Sequence, residues 1–546
     1  MCGIFSYITN NNENILLEND KNIYNNFMKI KNRGPDNSQY LCIKNNIILG
    51  FHRLSINDIS DLGNQPMKLK DYYLICNGEI FNHKNIINKY NFNTKSNSDC
   101  EVILHLYDYY LNTEKISKKS QIIKSICNEL DGEFAFVLYD SNIETSFIAR
   151  DPFGVRPLFY GTLNNIYNDN EIFVFSSELK GLNSLVNNAK QFTPGHYMII
   201  SKNMSFLIDK YHEIVIYNTI NQNNILENLN YVFRNAVYKR MMSDKEICSL
   251  LSGGLDSSLV ASILSEKLGP NKLKTFSIGI KGSPDLKYAQ QVADHIKSVH
   301  YSIELTEKQF LDSIEEVIYA IESYDTTTVR ASVGNYLVSK FIKQNTDCKV
   351  IFNGDYADEV CGGYRYFKNT SDDDLFHNEC IRLVNNIHYF DCLRSDRSIS
   401  NNGLEARVPF ADKEFVNFYL SIPANLRRSN DKIEKCLLRK AFENDNLLPE
   451  SVLWRYKEAF SDGVTDEKRS WHTIIQEYVS KKINDQQFNN LKNQYDINKP
   501  VLKESVYYRT IFDKYYKGYD NIIPYYWMPK WCGEITDPSA REIKSV

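Results

Sequence analysis

The chain has 546 residues, a formal net charge of −4, 42% hydrophobic and 24% charged residues, and 12 cysteines. That length predicts about two to four domains, and the near-neutral balance argues against a nucleic-acid or anionic-membrane partner. No apolar run reaches about 18 residues, so no membrane span is expected. The cysteines show no CxxC pairs, which reads as reduced, cytoplasmic thiols rather than a disulfide or zinc framework.

The chain opens Met1-Cys2-Gly3-Ile4-Phe5 with no basic region leading into an apolar stretch, so no signal peptide is expected. Cysteine is small enough that removal of Met1 is expected. Cys2 would then carry a thiol nucleophile and a free α-amine able to act as its base. The amine titrates near about 7.7–8.0, so a useful fraction is neutral at pH 7. Strands are predicted at Leu74-Ile75-Cys76, Phe134 to Tyr139 and Ile172 to Phe175, by content and length. Asp99 to Tyr110 reads as a helix, with Val102, Ile103, Leu106 and Tyr109 at helical spacing. Asn-rich segments at 164–170 and 218–224 read as loops, the second near a domain boundary.

Beyond 225 the pattern changes. Ile225 to Met242 is helical by spacing, and Ile247 to Leu251 is a short buried strand ending in a Gly-rich turn. Helix is predicted at Leu259 to Leu268 and Leu286 to His295, and strand at Thr275 to Ile280 and Lys349 to Phe352. The alternation indicates a parallel sheet; from about 370 the chain reads as largely helical. The histidines lack metal spacing, and Tyr507-Tyr508 and Tyr525-Tyr526-Trp527 read as packing.

Polar clusters punctuate the first part: Arg33-Gly34-Pro35-Asp36, His52-Arg53-Leu54-Ser55-Ile56, Asn77-Gly78-Glu79-Ile80 and Ser98-Asp99. Singly, each is a turn or a solvated charge. Together, after Cys2, they resemble the class II (N-terminal nucleophile) glutamine amidotransferases. The resemblance implies an αββα sandwich over 2–210. It places Arg53 on the α-carboxylate of glutamine, where a planar fork suits bidentate binding, and Asp99 on the α-ammonium. It assigns Leu54, Ser55, Ile56, Asn57 and Glu79 to the same pocket. The Asn77 side chain and the Gly78 N–H would stabilise the oxyanion while Cys2 forms a thioester and releases ammonia.

Ser252-Gly253-Gly254-Leu255-Asp256-Ser257-Ser258 follows the strand ending at Leu251. Glycines let backbone N–H groups approach a phosphate, and a helix start favours an anion. There is no Gly-Lys-Ser/Thr ending, so this is not a Walker loop; the string resembles the pyrophosphate loop of N-type ATP pyrophosphatases. Further strings are Phe276-Ser277-Ile278-Gly279, Gly282-Ser283-Pro284-Asp285, Tyr324-Asp325, Arg330-Ala331-Ser332, Gly362-Gly363-Tyr364, Glu405-Ala406-Arg407-Val408-Pro409-Phe410, and Lys457-Glu458 before Phe460-Ser461-Asp462-Gly463. With them, nearly the whole chain resembles the glutamine-hydrolysing asparagine synthetase family.

That resemblance implies a two-domain α/β protein, with a doubly wound parallel-sheet domain over 225–546 and a helical C-terminal region. It implies aspartate, ATP and glutamine as substrates, a β-aspartyl-AMP intermediate, and ammonia passing through an internal tunnel. Leu251, Ser252, Gly253, Gly254, Asp256, Ser257, Ile278, Asn353 and Gly354 would contact ATP. Asp256 and Asp358 would hold Mg2+, and Lys457 would neutralise phosphate charge. A homodimer is common in such proteins. One string departs: the family's Ser-Gly-Glu-Gly-Ser-Asp-Glu is here Asn353-Gly354-Asp355-Tyr356-Ala357-Asp358-Glu359. Asp355 keeps the catalytic carboxylate on a shorter stem, and Tyr356 is a residue that does not readily take φ > 0. The alternatives are a related adenylating amide synthetase with another acceptor, or a glutaminase whose second half is weakened.

Overall fold

The computed structural model describes residues 1–10, 20–44, 46–113, 118–165, 170–217, 220–429, 433–457, 463–465 and 469–538. Glu458, Phe460, Ser461 and Asp462 of the Lys457 string lie outside them, as do 166–169 and 218–219 of the Asn-rich segments. The chain forms two compact units, Met1–Glu213 with Met242–Lys245, and Ile214–Met241 with Glu246–Val546. Among the described residues no helix is long and apolar enough to cross a membrane. All twelve cysteines are free thiols.

Among the described residues the first unit carries twelve strands: β1 Gly3–Thr9, β2 Asn37–Ile43, β3 Ile47–Arg53, β4 Met67–Leu69, β5 Tyr72–Ile80, β6 Gly132–Asp140, β7 Thr145–Arg150, β8 Phe159–Asn165, β9 Asn170–Ser176, β10 Asn188–Gln191, β11 His196–Ile200 and β12 Phe206–Lys210. They make two antiparallel six-stranded sheets, β10-β8-β9-β1-β3-β2 and β12-β11-β7-β6-β5-β4. Ile4, Leu49, Phe51, Ile75, Ala135 and Val137 fill the space between the sheets. Leu74, Cys76, Phe134 and Phe136, alternate residues of the same β5 and β6, pack on helices Val102–Leu111 and Lys119–Glu129. Helix Asp20–Met28 covers the other sheet, with the Phe27 ring stacked on His52 at 3.9 Å. The result is a four-layer αββα sandwich. Burial on both faces explains why β1 and β3 are apolar along nearly their whole length, without alternation.

The expected helix at 99–110 is a 3-10 turn, Asp99–Glu101, running into Val102–Leu111. Tyr107, rather than the predicted Tyr109, faces the core, because it stands one turn after Ile103. Tyr109 is exposed.

The second unit holds a parallel sheet, β13 Ile247–Leu250, β14 Lys274–Ile280, β15 Val299–Leu305, β16 Val350–Phe352 and β17 Glu405–Arg407, in the order β15-β14-β13-β16-β17. The chain steps outward from β13 to β14 and β15, then returns to the other side at β16. Strand order therefore reverses between β13 and β16. In open α/β sheets, ligands bind beyond the carboxyl ends at such a switch point. The loops leaving these two strands are the Ser252–Ser258 and Asn353–Glu359 strings. Helix Leu255–Leu268 begins earlier than the predicted Leu259. Asp256 and Ser257 thus belong to its first turn, where a carboxylate and a hydroxyl suit the positive helix end.

Candidate functional site

In the first unit, Cys2 stands just before β1, beside the end of β3 through the Gly3–His52 pairing. The Leu54 N–H points at Cys2 Sγ from 3.5 Å, and Sγ lies 3.7 Å from the Leu54 carbonyl. Arg33, fully buried, donates from Nε to the Cys2 carbonyl at 2.8 Å and pairs with Glu178 at 3.0 Å. The backbone bearing the nucleophile is thus clamped.

Arg53 ends β3. Its guanidinium donates to the Ser60 carbonyl at 2.6 Å, to Asn64 Oδ1 at 2.8 Å and to the Asp58 carbonyl. Gly63 lets this turn close over the fork: a Cβ there would fall 2.3 Å from Arg53 Nη2. Burial would raise the Asp58 carboxyl, yet bonds from the Ser60 hydroxyl and the Asn97 and Ser60 amides hold it below its ordinary value. Residues 242–245 support the same turn, with Asp244 N–H donating to the Ile56 carbonyl and Asp58 N–H to Asp244 Oδ2, both at 2.9 Å.

Asn77, Gly78 and Glu79 follow one another on β5. Asn57 Nδ2 donates to Glu79, and lies 3.4 Å from Asp99 Oδ1; Asp99 Oδ2 accepts the Ile80 N–H at 2.6 Å. Asn57, Glu79 and Asp99 therefore form one polar group. Asn77 is 1% exposed, and both its side-chain Nδ2 and Oδ1 are buried without a hydrogen-bond partner. Buried amides are nearly always paired, which makes this one an exception in the fold. Gly78 is required by the neighbouring strand, since a Cβ would fall 2.4 Å from the Glu133 carbonyl oxygen.

In the second unit, a cavity of about 280 Å³ opens beyond the ends of β13 and β16. Leu251, Ser252, Gly254, Asp256, Ser257, Ile278, Asn353 and Gly354 line it, together with Asp355, Tyr356, Asp358 and Lys457. Gly253 does not line it; with φ +72 it shapes the turn, and a Cβ there would meet the Tyr288–Ala289 backbone at 2.5 Å. The turn is closed by Ser252 N–H donating to Ser257 Oγ at 3.1 Å.

Several groups here carried no local sequence signal. Lys435 Nζ lies 2.5 Å from Asp256 and 2.6 Å from Asp358, while Lys457 Nζ bonds the other Asp358 oxygen. Burial alone would raise the Asp358 carboxyl, but the two ammoniums override it and hold it well below the usual carboxylate range. Gly363 makes room for Lys435, because a Cβ there would fall 2.1 Å from Lys435 Cε. Arg394 Nη2 holds Asp355 at 2.7 Å, and its Nε sits 3.3 Å from Asp391. Burial, then the Asp391 and Asp358 charges, push the Glu359 carboxyl up; Tyr364 donates to it. Arg455 donates to the Gly253 carbonyl and pairs with Asp285, both at 3.1 Å. These residues come from segments distant in sequence, so only the fold brings them together. Arg330, by contrast, is spent on a buried bidentate pair with Glu504 at 2.8 and 2.6 Å.

Among the described residues no group of three or more His, Cys, Asp or Glu side chains gathers that could hold a metal by itself. Asp256 and Asp358 nonetheless face a common point, since one ammonium touches both.

Comparison with known proteins matches two family models to successive parts of the chain. The asparagine synthase family model matches residues 228–378 and 368–532, and the glutamine amidotransferase domain model matches residues 1–222. The asparagine synthetase [glutamine-hydrolyzing] of Homo sapiens is 42% identical over 94% of this chain and 95% of its own length. That of Gallus gallus is 40% identical over 95% of each. The chain therefore belongs to the asparagine synthase family, with a glutamine amidotransferase domain at its N-terminal end.

Proposed function

We propose that the protein makes asparagine from aspartate and ATP, using ammonia cut from glutamine. The observation that carries this reading is the cavity at the β13–β16 switch point, where a phosphate-type loop faces an acidic loop across two lysines.

In the first unit, Cys2 attacks the glutamine carboxamide once Met1 is removed, with its own α-amine as base. The C–N bond breaks, ammonia leaves, and water cleaves the thioester to glutamate. Arg53 takes the α-carboxylate and Asp99 the α-ammonium, with Leu54 to Asn57 and Glu79 completing the pocket. Asn77 Nδ2 and the Gly78 N–H hold the oxyanion.

In the second unit, the aspartate β-carboxylate attacks the α-phosphorus of ATP and pyrophosphate departs. Ammonia then attacks the acyl carbon and AMP leaves. The Ser252–Ser257 turn, Leu251, Ile278, Asn353 and Gly354 hold the nucleotide. Lys435 and Lys457 neutralise the departing phosphates, and Asp355 faces the acceptor and incoming ammonia. Mg2+ fits Asp256 and Asp358: Asp256 Oδ1 is buried without a hydrogen-bond partner, and this cation commonly takes one or two carboxylates plus substrate phosphates. It would supply positive charge to the phosphate oxygens. The same reading makes the protein a cytoplasmic homodimer.

The test is pyrophosphate and asparagine assayed together from ATP, magnesium and aspartate, with glutamine or ammonium. Equal amounts of both products are expected, and Cys2→Ala is expected to lose glutamine use while keeping ammonium use. Glutamate without pyrophosphate from any acceptor would overturn the reading of the second unit.

A further inference from the structure

Glutamine carries its α-carboxylate and α-ammonium on one carbon, so the two groups that read them must stand at a fixed separation. Arg53 ends β3, whereas Asp99 opens the 3-10 turn Asp99–Glu101 far along the chain. One residue touches both arms. The Asp58 carbonyl accepts from Arg53 Nη2. Its carboxylate takes the Ser60 N–H at 3.0 Å and the Ser60 hydroxyl at 2.5 Å on Oδ1, and the Asn97 N–H at 2.8 Å on Oδ2. Asn97 stands two residues before Asp99. Its segment is gripped from the other side by Glu101, which accepts the Lys95 and Ser96 N–H groups, both at 2.8 Å. Beside Asp58, Asn57 reaches the same arm, with Nδ2 3.4 Å from Asp99 Oδ1.

Asp58 is 5% exposed and has φ 55°. Glycine would take this left-handed backbone without steric cost, and asparagine tolerates it. Neither would satisfy Ser60 and Asn97 together. Glycine has no acceptor, and an asparagine that accepts from Ser60 turns its NH2 onto the Asn97 N–H. A carboxylate is what the position requires.

We propose that Asp58 is a specificity-determining positioning residue for glutamine hydrolysis: its carbonyl and carboxylate join the Arg53 turn to the Asp99 segment, so the two charges of the substrate are read as a pair. Asp244 braces the join from an exposed position by accepting the Asp58 N–H at 2.9 Å. Asp58 acts through Arg53 and Asp99 and does not itself touch glutamine. The inference rests on the reading of those two residues as the arms of the glutamine pocket. It predicts that loosening Asp58 weakens recognition of both ends at once.

The experiment follows ammonia release by the full chain from glutamine, from the analogue lacking the α-amine and from the analogue lacking the α-carboxylate. Asp58→Gly and Asp58→Asn both accept the backbone and break the join. Each is expected to raise KM for glutamine about 10- to 100-fold, the scale of a misplacement by about 1 Å. A much smaller change in kcat is expected, the mark of lost binding rather than lost chemistry. The preference for glutamine over each analogue, as a ratio of kcat/KM, is expected to fall for both. Asp244→Ala is expected to move the same quantities in the same direction by less. Should both Asp58 variants fail to fold, Asp244→Ala gives the answer, and the absence of any effect there overturns the join. A fall in preference over one analogue alone, a loss of kcat at unchanged KM, or an unimpaired Asp58→Gly also overturns it. A starting protein that takes both analogues as readily as glutamine overturns the reading of Arg53 and Asp99, and the join with it.

Discussion

The Lys435 ammonium lies 2.5 Å from the Asp256 carboxylate, joining the first turn of the helix after β13 to a segment almost 180 residues later. The same nitrogen reaches Asp358, whose other oxygen Lys457 bonds, so one buried cation bridges the two acids. Removing one partner of a buried ion pair typically costs about 3–5 kcal/mol, because the other charge stays buried without compensation. Lys435→Met is expected to lower the melting temperature of the second unit and to abolish pyrophosphate release. Glutamate production by the first unit is expected to survive. Calorimetry and the two product assays check this.

Gly363 is the spatial condition for that contact. A methyl at this position would fall 2.1 Å from Lys435 Cε and 2.2 Å from Asp358 Oδ1. Gly363→Ala is expected to displace the lysine rather than delete it. Pyrophosphate release is then expected to drop at least about tenfold by misplacement, with a smaller melting shift than for Lys435→Met. Equal activity in the alanine variant would contradict the placement.

Asn77 separates activity from stability. Its buried, unpaired amide is a cost of about 1–3 kcal/mol carried by the folded protein. Asn77→Ala is expected to lower glutamine hydrolysis about 10²–10³-fold, as for the loss of one oxyanion donor. Stability is expected to be unchanged or higher, and ammonium-dependent synthesis untouched. A stability loss as large as that of a core truncation would mean the amide serves the fold instead.

His52 gives the first unit a pH dependence. Burial pushes its pKa down to about 4, while its ring bonds Ser38 and the Phe27 carbonyl. Unfolded, it titrates near about 6.5. Between those values the unfolded chain binds a proton that the folded unit refuses. The stability it contributes is therefore full above about 6.5 and is lost as pH falls towards 4. Native-state hydrogen exchange of β3 amides, corrected for intrinsic rates, is expected to show that slope, and His52→Asn to flatten it.

Strands of the first unit and the phosphate-type turn were legible because each leaves a local trace, whereas the sandwich itself followed from the resemblance. Strands buried on both faces read as continuous apolar runs, and a glycine turn between strand and helix reads as a string. β15 was missed although it left a trace: Val299-His300-Tyr301-Ser302-Ile303-Glu304-Leu305 alternates apolar and polar residues, as suits a mostly part-exposed strand at the sheet edge. β17 is three residues, Glu405-Ala406-Arg407, whose two charges pair with each other at 2.6 Å inside the core. Lys435 and Arg394 were invisible for another reason. Their partners are set by tertiary folding, and a lone lysine or arginine in a helical stretch carries no signal. Steric propensity argued against φ > 0 at Tyr356, and the structure adopts it because the packing of the loop outweighs that preference.

Gly354 packs the loop after β16 directly against the turn after β13; a methyl there would fall 2.6 Å from the Ser257 amide nitrogen. Two backbones in such contact do not move independently. Whatever one ligand does to order its loop changes the equilibrium available to the other, and by linkage the effect runs equally in both directions. On the reading proposed above, nucleotide and acceptor are expected not to titrate as separate quantities. The dissociation constant of either, measured alone, will differ from its value with the other bound, by one shared factor.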